Sequence, residues 1–116
     1  MTKYSMKRDR EFNVDSVVGH PVPRTVLYEG HGVQSSIVTL QKDQNLGPHR
    51  HDSWIQILVL KGKLYCSIDD RTCEAGDSYF VEPGDEHVEI GLEEGTEIFM
   101  MKQLPNLQHS IEKLSS

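Results

Sequence analysis

The sequence predicts an all-β protein folded as a double-stranded β-helix, that is, a jelly-roll barrel. Short apolar or alternating segments recur along most of the chain, and clusters of Gly, Asp, Asn and Pro separate them. No amphipathic helical pattern is found between Val14 and Lys102. Because many short strands with regular turns are typical of sandwiches and barrels, the jelly roll follows from the pattern itself.

The individual strands are predicted from these runs in chain order. They cover residues 24–28, 33–41, 54–60, 63–68, 71–74, 77–81, 87–90 and 96–102. Turn residues separate them, as in Gly30-His31-Gly32, Asp43-Gln44-Asn45, Lys61-Gly62-Lys63, Asp69-Asp70 and Pro83-Gly84-Asp85. Residues 104–114 have the spacing of a weak terminal helix whose start is limited by Pro105.

The length of the chain limits it to one domain. With 116 residues and 36% hydrophobic content, it is long enough for a single core but not for two. We predict an N-terminal arm at 1–20, a barrel at 21–103 and a C-terminal tail at 104–116. The arm is polar and the tail carries only a weak apolar pattern, so both are expected to be peripheral.

Composition excludes several classes of function. No apolar run is long enough to span a bilayer, and the polar start lacks the apolar stretch of a secretion signal, so we expect a cytoplasmic protein without a membrane partner. The net charge is −6, and residues 82–97 contain seven acidic side chains and no Lys or Arg. Such a surface repels phosphate backbones, so nucleic acid is not an expected partner.

The two cysteines are too few for a disulfide scaffold, and a cytosolic setting keeps thiols reduced. Cys66 and Cys73 flank Asp69-Asp70 symmetrically, which predicts that they lie opposite each other on paired strands. They are interpreted as two small buried hydrophobic residues, with a redox pair or an extra soft metal ligand as the alternative.

A pattern of histidines is the most informative feature for function. His49 and His51 are two residues apart, so on an extended chain both side chains lie on one face and can bind one ion. Gln56 joins that face only if the chain bulges near Asp52-Ser53. A polar amide in the apolar run 54–60 must be bonded to something, which is either a metal ion or a neighbouring strand or water.

These residues resemble the two motifs of the cupin family over residues 35–101. His49, His51 and the closing Gly62 match the first motif, with Gln56 in the place of the usual acid. Gly76, Gly84 and His87 match the second motif, in which Glu82 replaces the first proline. The resemblance implies a jelly-roll barrel and one divalent transition metal ion, Zn, Fe, Ni or Mn, with four ligands. These ligands are His49, His51, Gln56 and His87.

Three neutral imidazoles and an amide oxygen leave the ion its full positive charge, which favours Lewis-acid chemistry on carboxylates, carbonyls and enolates. Four ligands also leave room for water or substrate at a five- or six-coordinate ion. Glutamine cannot act as a base at neutral pH, so the base mechanism of cupins that cleave flavonols is not expected here.

Two further residues are candidates for proton transfer. Glu89 lies two residues after His87 and faces inward with it if the strand is regular, and Tyr79 shares that lining. The alternatives are a surface acid for Glu89 and a core aromatic residue for Tyr79. Trp54 is a candidate wall of the pocket or a core residue, and Arg24 a candidate for contact with a substrate carboxylate.

Four functions remain open at this point. The first is a metal-dependent lyase, isomerase or hydrolase of a small oxygenated substrate, since the chain is similar in size and ligand pattern to cupins that open unsaturated uronates. The second is a dioxygenase that cleaves a dicarbonyl or phenolic compound. The third is a non-enzymatic metal or small-ligand binding module, and the fourth is a structural role. A homodimer is also expected, because open sheet edges invite pairing and small cupins bury them.

Overall fold

The computed structural model describes residues 2–17 and 19–105, and its architecture is almost entirely β. One 3₁₀ turn, Lys7–Asp9, precedes nine strands. These are β1 (Asn13–Val17), β2 (His20–Gly30), β3 (Val33–Leu40), β4 (Ile55–Lys61), β5 (Lys63–Cys66), β6 (Arg71–Glu74), β7 (Ser78–Val81), β8 (Glu89–Gly91) and β9 (Thr96–Gln103). The predicted fold class is confirmed. The predicted terminal helix lies mostly outside the described residues.

The strands form two antiparallel sheets that enclose one core. The larger sheet has the order β1-β2-β3-β9-β4-β7, and the smaller one has the order β6-β5-β8. Isolated bridges from Asn45 to Ile90 and from His49 to His87 extend the smaller sheet beyond β8. The segment between β3 and β4 therefore runs beside β8, and it brings the first histidine motif next to the second.

Alternation along the strands forms the core. Ile55, Ile57 and Val59 of β4 are buried, as are Ile98 and Met100 of β9. Apolar residues from both sheets pack with them, since each sheet turns one face inward. The remaining core residues are Val22, Val38, Leu40, Leu46, Leu64, Cys73 and Val81.

Strand β4 is covered on one face only, although its almost wholly apolar sequence is typical of a strand covered on both. Leu60 is 43% exposed, and the other outward residues, Gln56 and Leu58, are half-buried. The physical reason is that β4 lies in an antiparallel sheet, which can bury one face and leave the other partly solvated.

The cysteines are offset along the sheet, and the prediction that they lie opposite each other is wrong. Cys73 pairs with Leu64, and Cys66 pairs with Arg71. The turn is centred between Ile68 and Asp69, one residue earlier than the symmetric pattern implies. Both thiols are free and buried, as expected for small hydrophobic residues.

One strand was not predicted. β1 lies within the predicted N-terminal arm and pairs with β2 over Asn13 to Val17. Its sequence is mostly polar, and Val14 is 75% exposed, so little apolar alternation marks it. It is held by its backbone pairing with β2, and Arg24 Nη1 lies 2.7 Å from Asp15 Oδ2 across that pair.

Candidate metal centre

Backbone pairing places two of the predicted histidines side by side. His49 N donates to His87 O at 3.0 Å, and His87 N donates to His49 O at 2.9 Å. Because residues that exchange both bonds across an antiparallel pair project to the same side, their imidazoles meet. His51 is held by a further backbone bond, since Gly84 N donates to His51 O at 2.8 Å. The two motifs are therefore fixed to each other before any side chain acts.

The three imidazoles form one compact cluster. One ring nitrogen from each of His49, His51 and His87 lies within 4.8 Å of the other two. The ring centroids are 4.2 Å apart for His49 and His87, 4.9 Å for His49 and His51 and 5.6 Å for His51 and His87. The structure thus brings together the three histidines that the sequence predicted as ligands.

Hydrogen bonds to the backbone orient two of the rings. His49 Nδ1 lies 2.8 Å from Gly47 O, and His87 Nδ1 lies 3.2 Å from Asp85 O. A carbonyl can only accept, so each Nδ1 carries a proton, and when the ring is neutral its lone pair is on Nε2. This outer-shell arrangement is the one that metal-binding histidines normally have.

A buried acid and a tyrosine adjoin the cluster. Glu89 Oε1 lies 3.2 Å from His87 Nε2 and 3.4 Å from His49 Nε2, and the Tyr79 hydroxyl donates to Glu89 Oε2. Glu89 is 3% exposed, so the alternative of a surface acid is wrong. Tyr79 packs against the core and reaches the site with its hydroxyl. The two residues predicted for proton transfer are therefore in contact; the role itself stays a prediction.

The electrostatics of the site follow from burial and mutual contact. Burial acts to raise the pKa of Glu89, but hydrogen bonds from His49, His87 and Tyr79 outweigh it and lower that pKa to about 2. Burial and the Glu89 charge raise the pKa of Tyr79, so its hydroxyl keeps its proton. Burial also lowers the pKa of His51, as do the two neighbouring imidazoles. Glu89 is thus ionised and His51 neutral at pH 7.

Gln56 lies on a different strand face from the core. It pairs with Phe80, which is 46% exposed, whereas the neighbouring Ile57 pairs with the core-packed Tyr79. Its amide Nε2 donates to Tyr79 O at 3.2 Å, which is the neighbouring-strand bond that the sequence left as the alternative to a metal. The pairing of β4 with β7 is regular from Ile55 to Leu58. The ligand role of Gln56 stays a prediction.

The remaining sequence candidates lie apart from the cluster or at its edge. Trp54 is half-buried and stacks on Phe80, with ring centroids 5.6 Å apart. Arg50 forms an exposed ion pair with Glu86 at 2.7 Å. Arg24 is engaged by Asp15 and Gln34, and its Nε is buried without a hydrogen-bond partner.

Comparison with known families identifies the fold and the motif together. The family model described as "ChrR Cupin-like domain" matches residues 16–106, which is most of the chain and includes every histidine of the cluster. The chain belongs to the ChrR cupin-like domain family. No curated protein matches the sequence.

Several solved structures resemble this cupin in fold. KdgF from Halomonas sp. gives a TM-score of 0.77 at 15% identity, covering 94% of this chain and 99% of that one. The polyketide cyclase RemF from Streptomyces resistomycificus gives 0.77 at 15% identity, covering 90% and 81%. The complex of SigE with the anti-sigma ChrR from Rhodobacter sphaeroides gives 0.68 at 18% identity, covering 84% and 51%. At these identities the likeness shows the fold alone.

The residues of this cupin fit the metal that the family implies. The cluster offers the Nε2 lone pairs of His49 and His87 and a ring nitrogen of the neutral His51, and it is largely shielded from water. A divalent transition metal held there would act as a Lewis acid. The donor set alone leaves the choice of metal open.

Sequence reasoning missed Lys102 at the edge of the site. It follows the buried Ile98 and Met100 at alternate positions of β9, and it pairs with Ile55 on β4. It therefore lies at the inward face of the barrel. Burial and the charge of Arg24 lower its pKa, against the opposite effect of Asp15 and Glu29, and its own charge contributes to the lowered pKa of His51. The sequence does contain a signal for this position, because Lys102 continues the alternating series of Ile98 and Met100 that faces inward.

Proposed function

We propose that this protein is a metal-dependent cupin enzyme that acts on a small substrate bearing a carboxylate or carbonyl, by lyase or isomerase chemistry. The observation that carries the proposal is the convergence of three imidazoles beside a buried Glu89–Tyr79 pair. A metal ion there supplies Lewis acidity. The Glu89 carboxylate and the Tyr79 hydroxyl adjoin the imidazoles and are the candidates for moving a proton there.

The cation at the site edge supports a carboxylate on the substrate. Lys102 is half-buried, and among residues 2–17 and 19–105 no carboxylate lies within ion-pair distance of its Nζ. The charges of Asp15 and Glu29 offset part of the cost of burying this cation, and an anionic group of a ligand would offset more of it. Together with the resemblance to uronate-opening cupins, this favours small keto acids and unsaturated uronates as first substrates to test.

The test combines metal analysis with turnover. The protein is purified without an affinity tag beside His51→Ala and the control His31→Asn, whose exposed ring lies in a turn with positive φ that Asn tolerates. We expect stoichiometric transition metal in the parent and the control, little in His51→Ala, and metal-dependent conversion of a uronate or keto acid. Absence of metal in the parent after reconstitution would contradict the proposal. Oxygen uptake with substrate would indicate the dioxygenase alternative instead.

A second candidate function is a metal-sensing or ligand-sensing module. The family match over residues 16–106 favours it, because the family description carries the name ChrR and a ChrR of similar fold is an anti-sigma factor in complex with SigE. In that case a protein partner takes the place of a substrate. Metal-dependent binding of an RNA polymerase sigma factor, without turnover of any acid, would favour the sensor over the enzyme.

A homodimer through the N-terminal edge is part of the proposal. β1 is an edge strand of the larger sheet, and apolar side chains on and before it are exposed, with Tyr4 at 82% and Val14 at 75%. An unpaired edge with apolar residues is a surface that a second copy can cover. Val14→Lys is expected to shift sedimentation from dimer to monomer, whereas an unchanged dimer would exclude this edge.

A further inference from the structure

We propose that Glu89 is itself a metal ligand, so that His49, His51 and His87 are joined by a carboxylate from β8 in the place that the sequence assigned to Gln56. The inference rests on the metal centre of the proposed function. It assigns a ligand outside both cupin motifs, because Glu89 follows the last motif residue by two positions.

The distances between donor atoms are those of a shared coordination sphere. Glu89 Oε1 lies 3.4 Å from His49 Nε2 and 3.2 Å from His87 Nε2. Four ligands at about 2.0–2.2 Å from a tetrahedral zinc ion lie about 3.3–3.6 Å from one another. Both separations from Glu89 Oε1 are therefore close to those that one ion imposes on its ligands.

The backbone directs the second nitrogen of two rings toward Glu89. His49 Nδ1 bonds to Gly47 O and His87 Nδ1 bonds to Asp85 O, so Nε2 of each ring is the nitrogen that faces the carboxylate. A histidine held in this way binds a metal through its other ring nitrogen. The centroids of the two rings are 4.2 Å apart, so both rings and the carboxylate border the same small volume.

Burial and the second oxygen of Glu89 agree with this role. The Glu89 side chain is 4% exposed, and a buried carboxylate requires partners on both oxygens. Tyr79 donates to Oε2, which leaves Oε1 directed at the imidazoles. Tyr79 thus orients the carboxylate as outer-shell residues orient ligands.

Position on the strands explains why Glu89 suits the role better than Gln56. Glu89 and His87 are two residues apart, and they are only 3% and 2% exposed, so both side chains face the interior. Gln56 shares its strand face with the exposed Phe80, and its amide already donates to Tyr79 O. A carboxylate ligand also cancels one unit of the ion's charge, which changes the sequence-based expectation that the ion keeps all of it.

Metal titration separates the two possible fourth ligands. Four chelator-treated proteins are compared: the parent, Glu89→Gln, Gln56→Leu and the control Glu82→Gln, which removes an exposed acid of the second motif. Each is titrated with Zn²⁺ against a competing chelator, and with Co²⁺ while its visible absorption is recorded. We expect Glu89→Gln to bind Zn²⁺ at least about tenfold more weakly, since loss of even an outer-shell partner costs about 10–100-fold. We also expect it to alter the Co²⁺ bands, and Gln56→Leu and Glu82→Gln to match the parent.

Every outcome decides the assignment. Zn²⁺ affinity of Glu89→Gln within twofold of the parent, or a large loss in Gln56→Leu alone, would overturn it. If the parent itself binds no metal, the metal centre of the proposed function fails, which is a distinguishable result. If Glu89→Gln does not fold, a crystal structure of the zinc-loaded parent decides, because a ligand oxygen must lie about 2.0–2.2 Å from the ion.

Discussion

At the scale of single residues, the site depends on which atom of each side chain carries a proton. Two imidazoles are oriented by backbone carbonyls, and Glu89 is held between those imidazoles and the Tyr79 hydroxyl. A buried group of this kind is stabilised only while its partners are present, because the interior offers no water in exchange. Single substitutions should therefore reveal the network in both stability and pH dependence.

Tyr79→Phe should destabilise the metal-free protein by about 1–3 kcal/mol, because it leaves a buried carboxylate oxygen without its donor. The control is Tyr65→Phe, which removes the same hydroxyl from an exposed bond to Asp70 and should change stability by less than about 0.5 kcal/mol. Urea unfolding of both variants measures the difference. Equal effects of the two substitutions would show that the buried bond contributes nothing special.

Acid should destabilise the metal-free protein through Glu89. Its pKa falls from 4.5 to about 2 on folding, so its contribution to stability is present above 4.5 and is lost as the pH falls through that window towards 2. The free energy of unfolding should decline less steeply between these pH values in Glu89→Gln than in the parent. Glu82→Gln removes an exposed acid and is the control, so its free energy of unfolding should fall with pH as steeply as that of the parent. An equally shallow fall in both variants would contradict the assignment of this pH dependence to Glu89.

At the scale of elements, turns and registers decide what each strand presents. The β4–β5 turn depends on Gly62, whose φ is 82°. A larger residue does not fit at this position, because its Cβ would lie 2.5 Å from Thr96 Oγ1. The close approach brings β5 against the start of β9. The glycine that closes the first motif thus sets how the two sheets join.

Gly62→Ala should be more destabilising than Gly76→Ala by about 1–3 kcal/mol, the usual cost of forcing an atom into a packed place. Both positions have positive φ, of 82° and 95°, so both variants carry backbone strain. Nothing lies within 4 Å of a Cβ at Gly76, so the difference between the variants isolates the contact with Thr96. Thermal and urea unfolding give that difference, and similar losses would mean that Thr96 moves aside without cost.

At the scale of the whole molecule, the metal site joins two parts of the barrel. His49 and His51 precede β4 of the larger sheet, and His87 precedes β8 of the smaller one. An ion bound there would link both, so it would stabilise the fold and not only the site. Among residues 2–17 and 19–105, no helix is long and apolar enough to cross a bilayer.

Adding Zn²⁺ to the metal-free protein should raise its free energy of unfolding by about 2.7 kcal/mol when the free ion is at 100 times its Kd. His51→Ala should show little of this gain, while His31→Asn should show all of it, because His31 is exposed and lies outside the cluster. Calorimetry with and without chelator measures the shift. An equal gain in His51→Ala would place the stabilising ion elsewhere.

The sequence by itself determined the fold class, eight of the nine strands and the three clustered histidines. Period-2 alternation, turn residues and the spacing of His49, His51 and His87 are local signals, and local signals can be found without knowing which strands pair. The same is true of Glu89, whose inward direction follows from its distance of two residues from His87. Polar β1 gave no such signal and was missed.

Only the tertiary structure decided the surroundings of those residues. The register of β4 with β7 set the face of Gln56, the register of β5 with β6 offset the cysteines, and the end of β9 brought Lys102 to the site. A shift of one residue in register moves a side chain to the opposite face, and register depends on contacts between strands far apart in the chain. For that physical reason the sequence named the histidines, whereas the tertiary structure put Glu89 among them.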